Sequence, residues 1–170
     1  MPRHSVPRVF RSILCPVDFS ANSRAALRYA AMLARLSDAQ LTVLYVDDPL
    51  LAAAMATRST AAALIASAEA ELRRFVESAL RHLAPGPATR LLTRAGTPAR
   101  EIVRVAQRDG CDLIVMGYRG VGRASRFFFG STTEGVIRTT SVPVVAIPPA
   151  RRQARLIGAK RERVSLKRAS

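Results

Sequence analysis

Residues 13–20 read Ile-Leu-Cys-Pro-Val-Asp-Phe-Ser, and this stretch sets the pattern for the rest of the chain. Its first five residues form an apolar run, which predicts a buried β-strand that ends at Asp18. Ser20 follows, and serine is a favoured residue at the N-cap of a helix. The stretch therefore predicts a strand, a tight turn and a helix. Apolar residues continue at helical spacing, at Ala26, Leu27, Ala30, Ala31, Leu33 and Ala34.

The same strand-turn-helix unit is repeated along the chain. A second apolar run, residues 41–46, ends in Asp-Asp-Pro and precedes an alanine-rich stretch whose helical part is clearest over residues 59–83. A third and weaker strand is predicted at residues 89–93. After it, Thr97 can cap a helix and Pro98 can occupy the first helical turn.

The last part of the chain continues this alternation and completes the predicted fold. Strands are predicted at residues 112–116 and 142–147, with a helix over residues 132–139 between them. Pro143 lacks an N–H and suits an edge strand or a strand start. Strands that are apolar at nearly every position are buried on both faces. The predicted fold class is therefore α/β, an open doubly wound five-stranded parallel sheet with helices on both faces, whose ligands bind beyond the carboxyl ends of the strands.

Basic residues are concentrated at the two ends of the chain, which carries a net charge of +15. Residues 1–11 hold three arginines, and residues 150–170 hold eight Arg or Lys against one Glu, which leaves a net charge of only +5 for residues 12–149. We therefore divide the chain into a basic N-terminal arm (1–10), one domain (11–149) and a basic, flexible C-terminal tail (150–170). Such a tail can attract nucleic acid or an acidic protein by charge alone, or it can be solvated without a partner.

Other features limit the possible classes of function. No run of about 18 apolar residues is present, and no signal peptide is readable, so we expect a cytoplasmic protein without a membrane span. Cys15 and Cys111, the two thiols, have no metal-site spacing and are expected to be buried and free. His4 and His82 are expected at the surface. No Ser/His/Asp set and no pair of carboxylates is placed to activate water, so no catalytic residue is predicted.

A glycine-rich segment carries the clearest chemical signal. It runs from Met116 to Thr132 and reads Met-Gly-Tyr-Arg-Gly-Val-Gly-Arg-Ala-Ser-Arg-Phe-Phe-Phe-Gly-Ser-Thr, from a predicted strand into a predicted helix. Gly120 and Gly130 can adopt positive φ, and their amides can converge with that of Ser131 on an anion. A helix N-terminus with two hydroxyls makes a phosphate seat. The alternative is that the glycines serve only a tight connection, which the phenylalanines dock on the core.

The spacing in this segment resembles a nucleotide-binding signature. Gly117, Gly120 and Gly130-Ser131 are separated by two and nine residues, as in the ATP-binding members of the universal stress protein family. The segment is not a P-loop, which needs Gly-Lys-Ser or Gly-Lys-Thr. It is not a Rossmann fingerprint either, because that motif places its glycines directly after the first strand.

The resemblance extends over residues 11–149. Residues 13–20, 44–47 and 141–145 are similar to the first, second and last strands of the family. The family implies the strand order 3-2-1-4-5, of the type called adenine nucleotide alpha hydrolase-like, and commonly a homodimer formed along the last strand.

The resemblance also implies a set of ligand-binding residues. In the family's arrangement the end of the first strand lies beside the adenine and ribose. The phosphates, with Mg²⁺, a cation that prefers oxygen ligands, are held by Gly120, Gly130, Ser131 and Thr132. The implied ATP-binding residues are Pro16, Val17, Asp18, Val46, Met116, Gly117, Arg119, Gly120, Gly130, Ser131 and Thr132. Tyr118-Arg119 departs from the family, where a Ser-His pair is common. Asp18 has a second interpretation, since a carboxylate there can simply favour the helix dipole.

Together these features predict an ATP-binding universal stress protein that acts as a nucleotide-dependent switch in the stress response. Slow ATP hydrolysis stays possible, because Mg²⁺ and fixed amide donors stabilise transition-state charge. The alternative is a nucleotide-independent dimeric stress protein whose basic tail binds nucleic acid or an acidic partner. No aromatic residue interleaves the tail, so a stacking platform for single-stranded nucleic acid is not expected there.

Overall fold

The computed structural model describes residues 9–47, 61–83, 88–118 and 129–148, with side chains from residue 66 onward in the second segment. Strands and helices alternate along these segments, as the sequence predicts. In chain order they are β1 (Ser12–Val17), α1 (Ala21–Ser37), β2 (Gln40–Asp47), α2 (Ala61–Leu80), β3 (Thr89–Ala95), α3 (Pro98–Arg108), β4 (Leu113–Gly117), α4 (Ser131–Thr139) and β5 (Val144–Ile147).

The five strands form one sheet in the order β3-β2-β1-β4-β5, and every neighbouring pair is parallel. β1 is the central strand. Its Ile13 lies opposite Leu41 of β2 on one side and opposite Leu113 of β4 on the other. The predicted α/β fold class and the strand order 3-2-1-4-5 are therefore confirmed.

Two apolar clusters fill the space between the sheet and its helices. Helices α1 and α2 cover one face, where Ile13 and Leu27 are fully buried. Helices α3 and α4 cover the other face, where Leu14 and Val136 are fully buried. Because side chains alternate along a strand, the neighbours Ile13 and Leu14 enter opposite clusters. This arrangement explains why β1 and β4 are apolar at nearly every position.

The helix starts follow the predicted capping residues. Ser20 is the N-cap of α1, and its side chain accepts a hydrogen bond from the Ser23 N–H. Thr97 is the N-cap of α3 and Pro98 is its first residue, although the Thr97 side chain makes no capping hydrogen bond. Within the described segments, no helix combines the length and hydrophobicity that a membrane span needs.

Strand β5 begins later than predicted, and local hydrogen bonds explain the difference. The Val142 N–H donates to Thr140 Oγ1 at 3.0 Å, so residue 142 belongs to a turn and β5 starts at Val144. Pro143 directly precedes this edge strand, as expected of a residue without an N–H. Its carbonyl still accepts a hydrogen bond from the Ile114 N–H of β4 at 2.9 Å.

Helices α3 and α4 approach closely at a glycine. A Cβ added at Gly135 would lie 2.8 Å from the Cβ of Ala99, a distance that real Cβ contacts do not show. A larger residue at Gly135 would therefore push α4 away from α3.

Candidate functional site

The switch point of the sheet lies between β1 and β4. From β1 the chain moves outward to β2 and β3, and then returns to the other side of β1 to form β4 and β5. In open α/β sheets, ligands bind in the crevice beyond the carboxyl ends of the strands at such a point. Here that crevice is flanked by the residues that follow Val17 and Gly117.

The turn from β1 into α1 forms one wall of the crevice, and its polar groups are bonded to one another. The Asp18 N–H donates to Ser23 Oγ at 3.3 Å, and the Ser20 N–H donates to Asp18 Oδ1 at 3.1 Å. The Ser23 hydroxyl donates to the Ser20 carbonyl at 3.1 Å, and Ser23 is only 4% exposed. One carboxylate oxygen of Asp18 is thus held within the turn, which fixes the orientation of the half-buried carboxyl group.

The apolar residues predicted to contact a nucleotide divide between the two faces of the sheet. Met116 belongs to the cluster beneath α3 and α4, and Val46 packs against it. Alternation along β1 places Pro16 on the same face as Leu14. Val17 instead lies in the cluster beneath α1 and α2. The structure therefore brings Pro16, Val46 and Met116 to one side of the sheet, while the side chain of Val17 lies on the other.

The end of β4 and the start of α4 form the second wall, and they are tied together. The Thr133 hydroxyl donates to the Gly117 carbonyl at 3.0 Å, and Thr133 is 3% exposed. The Gly130 N–H donates to the Tyr118 carbonyl at 3.2 Å, and the rings of Tyr118 and Phe129 lie 4.6 Å apart, centroid to centroid. These contacts hold the two ends of the glycine-rich segment side by side.

The first turn of α4 presents backbone donors at this wall. Gly130 is the N-cap and has no side chain to bond them. Within the described part of the chain, the N–H groups of Ser131 and Thr132 donate to no other residue. Ser131 is exposed and Thr132 is half-buried. Such N–H groups carry the positive end of the helix dipole and can bind an anion. The predicted ligands Arg119 and Gly120 lie outside the described residues.

Sequence reasoning did not identify Ser23 or Thr133 as site residues. Both are hydroxyl residues in the first turn of a helix, a common pattern that does not show which way the side chain points. For Thr133, the run Ser131-Thr132-Thr133 adds no sharper signal, because the sequence does not show which of the three hydroxyls turns inward.

The described titratable groups do not form a metal-binding cluster. Cys15 and Cys111 are buried and free, as predicted. Burial raises the pKa of both thiols, so both stay protonated and weakly nucleophilic at neutral pH. His82 is exposed, and His4 lies outside the described residues. The described segments contain no group of three or more His, Cys, Asp or Glu side chains that could hold a metal ion.

Comparison with known proteins agrees with this geometry. The model of the universal stress protein family matches residues 10–148. The chain belongs to the universal stress protein family. The universal stress protein Sll1654 of Synechocystis is 30% identical over 146 residues, covering 82% of this chain and 87% of that protein. A universal stress protein of Mycolicibacterium smegmatis is 31% identical over 79% of this chain and 47% of its own length, so this chain spans about half of that relative.

Solved structures of universal stress proteins show the same architecture. The structure of MJ0577, from Methanocaldococcus jannaschii, has a TM-score of 0.68 at 27% identity and covers 81% of this chain and 95% of its own. A universal stress protein from Archaeoglobus fulgidus, solved in complex with dAMP, has a TM-score of 0.56 at 26% identity, covering 82% of this chain and 98% of its own. The family that the glycine spacing and strand motifs indicate is therefore confirmed, whereas ATP binding by this chain stays a prediction.

Proposed function

We propose that this universal stress protein binds ATP in the crevice between β1 and β4 and acts as a nucleotide-dependent switch in the stress response. The observation that carries the proposal is the first turn of α4. Its Ser131 and Thr132 N–H groups have no partner in the described part of the chain, and Thr133 fixes this turn beside Gly117. Unpaired N–H groups at a helix start beside a switch point make a seat for phosphate.

Each part of the nucleotide has a group of matching chemistry. The apolar face made by Pro16, Val46 and Met116 suits a base, and the carboxylate of Asp18 suits ribose hydroxyls as a hydrogen-bond acceptor. The phosphates would bind the N–H and hydroxyl groups of Ser131 and Thr132. In the glycine-rich segment, Gly117, Arg119, Gly120 and Gly130 would complete this seat, and the phosphates would carry Mg²⁺ with them. Val17 would contribute its backbone alone.

An adenine nucleotide is supported by a related structure. The Archaeoglobus fulgidus universal stress protein was solved with dAMP. In this chain the choice of ATP rests on the spacing of Gly117, Gly120 and Gly130-Ser131.

Calorimetric titration of Mg-ATP tests the binding proposal with a matched pair of variants. Ser131→Glu places a carboxylate in the proposed phosphate seat, and a negative charge at a helix start favours the helix, so the fold should be retained. Gln107→Glu makes the same change of charge at an exposed residue in the last turn of α3, at the end of that helix away from the crevice. We expect Ser131→Glu to lose at least about tenfold in affinity, or about 1.4 kcal/mol, and Gln107→Glu to bind like the wild type.

Either of two results would overturn binding at this site. One is equal loss of affinity in both variants. The other is a wild-type protein that neither binds Mg-ATP nor releases a nucleotide on acid extraction after purification.

The switch is tested separately by hydrogen exchange. Bound phosphates would offset the positive charge of Arg119, Arg123 and Arg126 in the glycine-rich segment. We propose that this changes a partner-binding surface. Saturating Mg-ATP should therefore slow amide exchange over residues 118–129. Unchanged exchange at saturation would reject the switch while leaving nucleotide binding intact.

We also propose a homodimer that forms along β5. This strand pairs with β4 on one side, and among the described residues nothing pairs with its other edge. Val145 on this strand is 38% exposed, and an exposed apolar side chain on an edge strand suits pairing with a second chain. Light scattering should show a dimer for the wild type and a monomer for Val145→Asp.

A cytoplasmic location stays a prediction from the sequence.

The second candidate function rests on the charge of the C-terminal tail. Eight basic residues against one acidic residue in residues 150–170 suit a nucleic acid or an acidic protein. Removal of residues 150–170 should then abolish a strongly salt-dependent interaction with an RNA or DNA oligonucleotide, while the affinity for Mg-ATP is retained. Equal binding by both forms would exclude the tail as the nucleic acid site.

A further inference from the structure

The turn between β1 and α1 contains a residue in an uncommon backbone conformation. Phe19 has a φ of 61°, in the left-handed region that glycine enters freely and other residues rarely enter. The other described non-glycine residue with positive φ, Asp38, is the C-cap of α1, where a short polar side chain is tolerated. A phenylalanine has no such local compensation, so surrounding contacts must hold it in place.

Those contacts come from a stack of aromatic and cationic groups. The Phe19 ring is stacked on Tyr45 of β2, with centroids 4.5 Å apart and an interplanar angle of 30°. The rings of Phe19 and Phe75 of α2 lie 5.4 Å apart, centroid to centroid, with an interplanar angle of 70°. The Arg24 guanidinium lies 4.5 Å from the centroid of Phe75 and donates to Ser78 Oγ at 2.8 Å. Phe19 is thereby anchored to β2 and α2, elements that lie outside its own turn.

The conformation of Phe19 determines where its neighbours lie. Two hydrogen bonds cross this residue, from the Ser20 N–H to Asp18 Oδ1 and from the Asp18 N–H to Ser23 Oγ. Both bonds join the end of β1 to the start of α1, so a change in φ at Phe19 would separate their donors from their acceptors. The direction of the Asp18 carboxylate therefore depends on Phe19.

We propose that Phe19 is a positioning residue that holds the Asp18 carboxylate in the direction needed for the ribose. The aromatic stack fixes the left-handed conformation, and that conformation fixes the two hydrogen bonds on either side. The effect on nucleotide binding rests on the proposed function, whereas the effect on the turn does not.

Phe10 provides a matched control for an ordinary packing role. Like Phe19, it is a partly buried phenylalanine packed against the cluster beneath α1 and α2. It lies before β1, at the opposite end of that strand from Asp18. Phe10→Leu and Phe19→Leu remove similar rings from the same cluster, but only Phe19→Leu removes the stack on Tyr45.

Hydrogen exchange of the nucleotide-free protein tests the turn directly. We compare the variants with the wild type under conditions that give them equal free energies of unfolding. Phe19→Leu should then speed exchange of the Asp18 and Ser20 amides by about tenfold or more. Phe10→Leu should leave these two amides unchanged, and Phe19→Tyr, which keeps the ring, should restore wild-type rates. Unchanged exchange in Phe19→Leu, or equal acceleration in Phe10→Leu, would overturn the inference.

A double-mutant cycle then tests the ligand step. Phe19→Leu should weaken Mg-ATP binding by about tenfold in the wild-type background and by less than about twofold in an Asp18→Ala background, since coupled residues are not additive. Equal effects in both backgrounds would show that Phe19 does not act through Asp18. If the wild type binds no Mg-ATP, the proposed function fails, and the exchange experiment alone decides whether Phe19 holds the turn.

Discussion

The two walls of the crevice between β1 and β4 are constructed differently. In the β1–α1 turn, Asp18, Ser20 and Ser23 bond to one another. At the start of α4, the buried Thr133 hydroxyl and the Gly130 N–H tie the helix to the end of β4, while the N–H groups of Ser131 and Thr132 have no partner in the described segments. The first wall is complete without a ligand and gives the crevice its shape. The second wall has N–H groups of the kind that can bind an anion at a helix start.

The largest effect on stability is expected from breaking the first wall. Ser23→Ala removes the acceptor for the Asp18 N–H and the donor to the Ser20 carbonyl in a residue that is 4% exposed. We expect a loss of about 2 kcal/mol in the free energy of unfolding, because buried polar groups lose their partners. Urea denaturation measures it. Asn22→Ala, the half-buried neighbour, is the control, and an equal loss there would argue against the hydrogen-bonded network.

A smaller effect is expected from the second wall. Thr133→Val keeps the shape of the side chain but removes the hydrogen bond to the Gly117 carbonyl. The expected loss is about 1 kcal/mol of unfolding free energy, the usual contribution of one hydrogen bond. Thr133→Ser, which keeps the hydroxyl, should recover most of it in the same denaturation experiment. A stable Thr133→Val together with a destabilised Thr133→Ser would mean that packing of the methyl group, rather than the hydrogen bond, holds α4 to β4.

The smallest effect is expected from a solvent-exposed ion pair on α4. Glu134 and Arg138 form an ion pair at 3.5 Å, with side chains 53% and 75% exposed. Glu134→Gln should change the free energy of unfolding by no more than about 0.5 kcal/mol, since exposed pairs are screened by solvent. The change should shrink further in 1 M salt. A loss as large as that of Thr133→Val would show that this exposed ion pair contributes as much to stability as the buried hydrogen bond of Thr133.

The fold was largely predictable from the sequence, because strand and helix patterns are repeated and each turn carries a recognisable residue. Ser20, Thr97-Pro98 and Pro143 all lie where their local chemistry predicts. The strand order followed from the family resemblance rather than from periodicity, which does not distinguish one parallel order from another.

The site was less predictable, because its decisive features depend on tertiary contacts. A phenylalanine gives no local signal for positive φ, so the conformation of Phe19 depends on Tyr45 and Phe75, residues distant in the chain. In the sequence Thr133 looks like an ordinary helix residue. Its role depends on the Gly117 carbonyl, which the fold places beside it at the end of β4. Val17 fits the motif, yet alternation along β1 turns its side chain to the face opposite Met116.

The central position of β1 affects the order in which the strands can pair during synthesis. Ser12 and Asp112, at the starts of the two strands that flank the crevice, are 100 residues apart in sequence and joined by a hydrogen bond. Closing so long a loop is slow and costs entropy. Strands β1 and β2 are close in sequence and are both synthesised well before β4, so they can pair first. The crevice forms only with that last closure. A chain that has not yet added β4 therefore has no crevice between β1 and β4.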